Sequence, residues 1–340
     1  MCVLGPTGSG KTTLLRVIAG LTSPDSGQLL IDEKPADDVK PEGRNTAYMP
    51  QQYALFPHLT VLENVAFSPL ARGSGKAEAF EIARKVLRTV KLAHRENALP
   101  HELSGGMQQR VALGRAIASG ANLLLLDEPL GALDARLRVE LRAELRRIVK
   151  DFNLTAIHVT HDQNEAMTIA DTVVVLKDGT VQQAGSPFHI YQDPISIFAA
   201  NFVGGSNFLV GIVVGMERNA SVVELREGVR IRVGQKSHSL GEPVIVSVRK
   251  ESTILRAHAP ETGNVVPGQV KNANFLGAFI EYTVLLDNRE TMRAKIPTIY
   301  VADGSLPFEV GDRVFAILDP EDCKLFSHPP LGLTTELEAF

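Results

Sequence analysis

Cysteine is scarce: Cys2 and Cys323 are the only two among 340 residues, and they stand near opposite ends of the chain. That leaves no disulfide framework and fits a reduced compartment, the cytosol. An excess of either charge is lacking too. Thirty-five Lys and Arg against 39 Asp and Glu give a formal net charge of −4, so the bulk electrostatics offer nothing to nucleic acid or to an anionic membrane surface. The N-terminus carries no secretory signal. One uncharged run, Pro194 to Met216, is long enough to span a bilayer. Pro194, Ser196, Asn201, Gly204, Gly205, Ser206, Asn207, Gly211 and Gly215 interrupt it, and it reads as a linker with flanking apolar pieces. No tandem repeat is visible. What remains, 44% hydrophobic and 22% charged, is a soluble globular chain long enough for two domains with separate cores.

Against these absences stands one dense signal. Gly5 to Thr12 reads G-P-T-G-S-G-K-T, a glycine-rich turn that ends a strand and opens a helix. Gly5, Gly8 and Gly10 remove the side chains that would keep backbone N–H groups from converging on anionic oxygens, and the following helix points its positive end at the same place. Lys11 brings a full charge to the outer phosphates, and the Thr12 hydroxyl is placed to ligate the magnesium ion that accompanies them. The four fixed positions of such a motif arise by chance in about one chain per hundred of this length, so the loop needs support from downstream.

Met1 to Leu4 leave little strand ahead of the loop, and further strands are expected to be missing there. A helix runs on to Leu21, then short strands over Gln28–Asp32 and Thr46–Pro50, the second ending at Gln51. Tyr53 to Phe67 is apolar without a clean period and clustered in aromatics, either a core segment or a docking surface for a hydrophobic partner. Lys76 to Leu92 has a helical period, with Phe80, Ala83, Leu87 and Val90 on one stripe. Ser104, Gly105 and Gly106 precede a helical run, Met107 to Ala118. Ser104 is there either a second anion-binding helix tip or an ordinary cap.

Leu123 to Leu126 is an unbroken apolar run too short for a helix, a central parallel strand buried on both faces. It delivers Asp127 and Glu128 to the sheet edge where open α/β folds bind their ligands. Asp127 suits a magnesium ion or its water, and Glu128 suits proton acceptance from an attacking water; the alternative is a strand-end turn with two solvated acids. Asp134 caps a helix to about Phe152. Thr155 to Thr160 forms a strand that brings His161 and Asp162 to the same edge, where the histidine is either structural, as an isolated one usually is, or a donor to a γ-phosphate oxygen. Thr172–Leu176 and Thr180–Gln183 read as a hairpin. After Gly205 short alternating strands take over, such as Val229, Ile231, Val233 and Tyr282, Val284, Leu286, which indicate a small all-β barrel or sandwich.

Taken in order, G-P-T-G-S-G-K-T-T, Gln51, L-S-G-G-M-Q-Q-R over Leu103 to Arg110, L-L-L-L-D-E-P, G-A-L-D over Gly131 to Asp134 and V-T-H-D over Val159 to Asp162 resemble the ATP-binding subunits of ABC transporters. Y-A-L-F-P-H-L-T-V-L-E-N-V, G-S-P-F-H-I-Y-Q-D-P, S-V-R-K-E, F-L-G and G-D-R-V are similar to the importer branch serving spermidine/putrescine, iron(III) or sugars, whose subunits end in an OB-like regulatory (TOBE) domain. The resemblance implies an α/β P-loop NTPase domain over 1–204, with a helical subdomain at about 53–122, and an all-β OB-like domain over 205–340.

It also implies roles. Gly5, Pro6, Thr7, Gly8, Ser9, Gly10, Lys11, Thr12 and Thr13 would hold ATP, and Thr12, Gln51 and Asp127 would serve magnesium. Glu128 would be the general base for in-line attack by water, with Gln51 sensing metal and water and His161 touching the γ-phosphate. Ser104, Gly105, Gly106 and Asp134 would meet the nucleotide held by a second copy in a head-to-tail dimer, which makes ATP the glue. Further partners would be permease subunits docking at Tyr53–Phe67 and, indirectly, an extracellular solute-binding protein, but no nucleic acid. The place would be peripheral, on the cytoplasmic side of the cell membrane. The chain departs from the family pattern at Met107, where Gln is common, at Lys250, where proline is frequent, and before the loop, where the aromatic that stacks on adenine is expected. Two other readings compete: a regulatory binding protein without ATP turnover, and an ABC-type ATPase acting on DNA or ribosomes. The latter predicts paired cassettes or a coiled-coil insertion, and neither is visible in the sequence.

Overall fold

The computed structural model describes residues 1–131, 135–217, 220–234, 238–300 and 306–338. They form two compact units, Met1–Asp193 and Pro194–Phe340.

In the first unit the elements are β1 (Cys2–Leu4), α1 (Lys11–Ala19), β2 (Leu30–Ile31), β3 (Lys34–Pro35), β4 (Thr46–Met49), α2 (Val61–Ala71), α3 (Lys76–Thr89), α4 (Gly105–Ala118), β5 (Leu123–Asp127), α5 (Ala135–Asp151), β6 (Thr155–Thr160), α6 (Gln163–Ile169), β7 (Val173–Lys177), β8 (Thr180–Gly185) and α7 (Pro187–Gln192). The main sheet has the order β4-β5-β6-β1-β7-β8, parallel throughout except for β8. Its middle is dry: Leu124, Leu125 and Leu126 are all fully buried. Alternation along β5 sends Leu124 and Leu126 into the core that includes Leu145 and Ile148 of α5, and Leu125 into the core that includes Val3 and Leu15. A strand apolar on both faces must lie between two helical layers, and this one does.

Helices α2, α3 and α4 pack together beside the sheet. Thr60 and Glu63 close a capping box that starts α2, and the buried Asn64 side chain ties down the preceding loop. Its Oδ1 accepts from Phe56 N at 2.9 Å, and its Nδ2 donates to the carbonyls of Phe56, Leu59 and Thr60. Along α3 and just past it, Ala83, Leu87 and Val90 are buried on the expected stripe, and Phe80 packs partly buried against the same core. Helix α4 begins at Gly105, two residues ahead of the expected Met107, because Ser104 Oγ accepts from Met107 N and caps it.

The second unit contains α8 (Ile197–Phe202), β9 (Ser206–Met216), β10 (Ser221–Leu225), β11 (Arg230–Val233), β12 (Pro243–Arg249), β13 (Thr253–Arg256), β14 (Asn264–Phe275), β15 (Phe279–Leu286), β16 (Thr291–Pro297), β17 (Arg313–Leu318), β18 (Cys323–Ser327) and α9 (Leu333–Glu338). Two antiparallel five-stranded sheets, β11-β10-β9-β12-β18 and β13-β17-β14-β15-β16, share one core that includes Val246, Val270 and Tyr282. This is an OB-like all-β unit. The linker expected over Pro194 to Met216 is instead a short helix and an eleven-residue strand. Gly211 belongs in that strand for packing: a Cβ there would lie 2.5 Å from Val223 Cγ1 and 3.0 Å from Glu224 O. The unit begins ahead of Gly205 because Arg249, on β12, donates to the carbonyls of Ala200 and Val203 and holds α8 to the β unit. Among the described residues no helix is long and apolar enough to cross a membrane.

Candidate active site

Buried β1 carries the chain into the loop from Gly5 to Gly10. Gly8 and Gly10 take φ of 83° and 95°, the left-handed region that favours glycine. Gly10 is also the N-cap of α1, and no side chain caps that helix. The N–H groups of Lys11, Thr12 and Thr13, ahead of the first helical bond from Leu14 N to Gly10 O, are therefore left to the loop. The loop rests against the β7–β8 hairpin, where Gly179 N donates to Ser9 O at 3.1 Å. Ser9 is buried with its Oγ unpartnered. Lys11 Nζ folds back onto the carbonyls of Gly5 and Pro6 at 2.8 and 2.7 Å. Burial lowers its pKa, against the opposing pull of Glu128 and Asp127.

The parallel strands bring the remaining groups to this edge. Thr12 Oγ1 donates to Asp127 Oδ1 at 3.1 Å, and Tyr48 OH donates to Asp127 Oδ2 at 3.3 Å. Asp127 is 2% exposed. Burial raises its carboxyl above the usual range, and the two hydrogen bonds act in the opposite direction. Glu128 follows with φ 46°, a conformation that costs a non-glycine residue energy and is characteristic of functional turns. Its N–H donates to Val159 O at 3.0 Å. Its carboxylate is held on both sides: Gln51 Nε2 donates to Oε2 at 3.0 Å, and His161 Nδ1 lies 3.0 Å from Oε1.

The structure thus assembles the loop residues Gly5 to Thr13 with Gln51, Asp127, Glu128 and His161. It does not bring Ser104, Gly105 and Gly106 to them: among the described residues no hydrogen bond links this helix tip to the loop, and Ser104 and Gly105 are exposed. Asp134 lies outside the described residues. Sequence reasoning missed Tyr48. The signal was there in the strand alternation, since Ala47 and Met49 are buried in the helical-side core and Tyr48 takes the other face, in register with Leu125 and two residues short of Asp127.

Comparison with known proteins decides the family. An ABC transporter model matches residues 1–131, and a TOBE domain model matches residues 246–326. The spermidine/putrescine import ATP-binding protein PotA of Acetivibrio thermocellus is 41% identical over 322 residues, 95% of this chain and 87% of that protein. The Fe(3+) ions import ATP-binding protein FbpC of Brucella abortus is 40% identical over 308 residues, 90% and 84%. The chain belongs to the ATP-binding subunits of ABC import systems.

As an ABC import subunit it binds ATP and is an ATPase, so neither the reading without turnover nor the one on DNA or ribosomes is needed. The fold agrees with solved ABC cassettes. The dimeric post-hydrolysis state of the cassette MJ0796 bound to ADP and Pi superposes with a TM-score of 0.51 at 34% identity, covering 55% of this chain and 84% of that one. The ABC cassette and the OB-like TOBE unit are thus the two parts expected from the sequence.

Proposed function

We propose that this subunit hydrolyses ATP at the edge formed by the loop, β5 and β6, with Glu128 as the general base. The observation that carries the reading is the carboxylate of Glu128 fixed between Gln51 and His161. A base must be oriented before it takes a proton from water, and two hydrogen-bonding neighbours leave it little rotational freedom. Gly5 to Gly10 and the first turn of α1 receive the phosphates. Lys11, held by loop carbonyls, exchanges them for phosphate oxygens without moving along the chain. The orphaned Ser9 hydroxyl is a further donor within the cradle.

Thr12 and Asp127 present oxygen atoms only, and among the described residues no cluster of three His, Cys, Asp or Glu competes for a metal. That set fits magnesium, which keeps several waters and binds through one or two protein oxygens plus phosphate. Bound there, it would neutralise charge on the phosphate oxygens. Gln51 and His161 orient Glu128, and His161 also reaches the γ-phosphate.

Ser104 caps a fourteen-residue helix that Gly105 and Gly106 begin, with Ser104 and Gly105 exposed, the geometry that binds anions. We assign them, with Asp134, to the nucleotide of a second copy in a head-to-tail dimer, an arrangement supported by the dimeric cassettes that resemble this chain. Permease subunits dock at Tyr53–Phe67. There Phe67 is 42% exposed beside a groove of about 440 Å3, and Arg115 braces the loop by donating to the carbonyls of Tyr53 and Ala54. The subunit sits peripherally on the cytoplasmic side of the membrane, and the solute is met by the permease and an extracellular binding protein.

The test is Glu128→Gln. This variant should retain ATP, lose turnover and accumulate as a dimer at saturating ATP and magnesium, as read by sedimentation. Turnover at the wild-type rate removes Glu128 from the role of base.

A further inference from the structure

Two arginines on α5 have no role in the reading above, yet both hold the residue beside His161, and one of them closes a ring through Glu128. Arg142 Nη2 lies 2.7 Å from Asp162 Oδ2, with side chains 11% and 18% exposed. Arg138, one helical turn earlier on the same face, lies 3.5 Å from the same oxygen, and its other Nη donates to Gly131 O at 3.4 Å. Gly131 N in turn donates to Glu128 O at 3.2 Å and closes the turn that carries the base. Asp162 is the residue after His161, whose ring pairs with the Glu128 carboxylate. The path from Glu128 through Gly131, Arg138, Asp162 and His161 therefore returns to Glu128.

The ring matters because His161 has little else to hold it. Its side chain is 61% exposed, so packing does not fix the imidazole, and its place depends on the backbone on either side. That backbone is tethered through Asp162, whose Oδ1 accepts from Glu165 N at 3.1 Å as the cap of α6 and whose own N–H donates to Thr160 Oγ1 at 3.0 Å. The two guanidinium groups take up the remaining oxygen. A half-buried carboxylate shared by a cap and two arginines has one low-energy orientation, since turning it breaks charge-assisted bonds.

We infer that Arg138 and Arg142 are positioning residues, which act through Asp162 to hold His161 against Glu128, so that the placement of α5 sets the geometry of the base. The inference rests on the assignment of Glu128 and His161 made above. It gives the turn between β5 and α5 a direct mechanical link to the histidine on the neighbouring strand.

Asp162→Asn is the informative variant, because Asn caps a helix about as well as Asp while the oxygen that accepts from both guanidinium groups is replaced by an amide NH2. Its kcat for ATP should fall on the order of ten- to a hundredfold, the scale set by misplacing a catalytic group, with KM for ATP close to wild type and a melting temperature lowered by the broken, largely buried ion pair but still above the assay temperature. Arg142→Gln should do the same, Arg142→Lys should recover part of the loss, and the Arg142→Gln/Asp162→Asn double variant should be no slower than the slower single. Unchanged kcat in both single variants, a rise confined to KM, or losses that multiply in the double variant would overturn the proposal. Arg142→Gln carries the test should Asp162→Asn not fold. Glu128→Gln, assayed alongside, separates the two levels. If it is inactive and Asp162→Asn is normal, only the positioning role fails; if it still turns over, the base assignment falls and this proposal with it.

Discussion

Thr12 Oγ1 and Asp127 Oδ1 lie 3.1 Å apart although 115 positions separate them in the chain. The contact joins the first turn of α1 to the end of β5, and it puts a carboxylate in a place where little water reaches. Burial is the larger influence on Asp127 and holds its carboxyl above the ordinary value of 3.8. The consequence for stability has a definite sign. An acid that binds its proton more tightly folded than unfolded favours the fold below the unfolded value, and that advantage is lost as pH rises through the folded value. At neutral pH the charged Asp127 is therefore a standing cost. Asp127→Asn should raise the melting temperature of the metal-free protein near pH 7, at about 2–4 °C for each kcal/mol recovered. It should also cut magnesium-dependent ATP turnover by about a hundredfold or more. Calorimetry checks the first and a coupled ATPase assay the second; a lower melting temperature would contradict the account of Asp127 as a strained, functional carboxylate.

Tyr48 supplies the other hydrogen bond to Asp127. Burial, then the neighbouring Asp127 charge and the bond itself, push its phenol up to about 12, so the hydroxyl stays protonated and remains the donor at any working pH. Tyr48→Phe keeps the ring and removes only that donor. Losing one hydrogen bond of about 0.5–1.5 kcal/mol should raise the magnesium concentration for half-maximal turnover by roughly two- to tenfold, with KM for ATP nearly unchanged. A magnesium titration that overlays the wild type would show that Thr12 alone orients the carboxylate.

How far the sequence discloses this site depends on how local each signal is. The run Leu123 to Leu126 was legible because a strand buried on both faces leaves an unbroken apolar trace, and the two acids after it follow from where such strands end. The phosphate loop was legible because its glycines serve their own backbone, as the φ values of Gly8 and Gly10 show. Strand β9 was not, since its glycines serve a neighbour: Gly211 makes room for Val223, twelve residues on. Tyr48 escaped for the same reason, its partner being fixed by the β4–β5 register. Arg138 and Arg142 escaped too, because a stripe of arginines on a helix looks like a solvated face until Asp162 arrives from β6. Ser104 was readable as a cap, and its capping bond is present; a role on another copy's nucleotide leaves no trace within one chain.

The two kinds of glycine in the loop make a final distinction that can be measured. Gly5 is required by space: a Cβ there would lie 2.3 Å from Leu176 O and 2.6 Å from Ser9 Oγ, and a backbone carbonyl in a paired strand cannot yield cheaply. Gly8 is required by conformation, for a Cβ at its position meets nothing within 4 Å while its φ is 83°. Gly8→Ala should therefore cost the roughly 1–2 kcal/mol of a left-handed residue, and Gly8→Asn less, because Asn tolerates that region. Gly5→Ala and Gly5→Asn should both cost more than Gly8→Ala, with Asn no better than Ala, since a larger side chain worsens a steric conflict. Urea unfolding of the four variants orders them directly. If Asn rescues Gly5 as it does Gly8, the loop is not pressed against the β7–β8 hairpin as described, and the carbonyls that hold Lys11 are free to move.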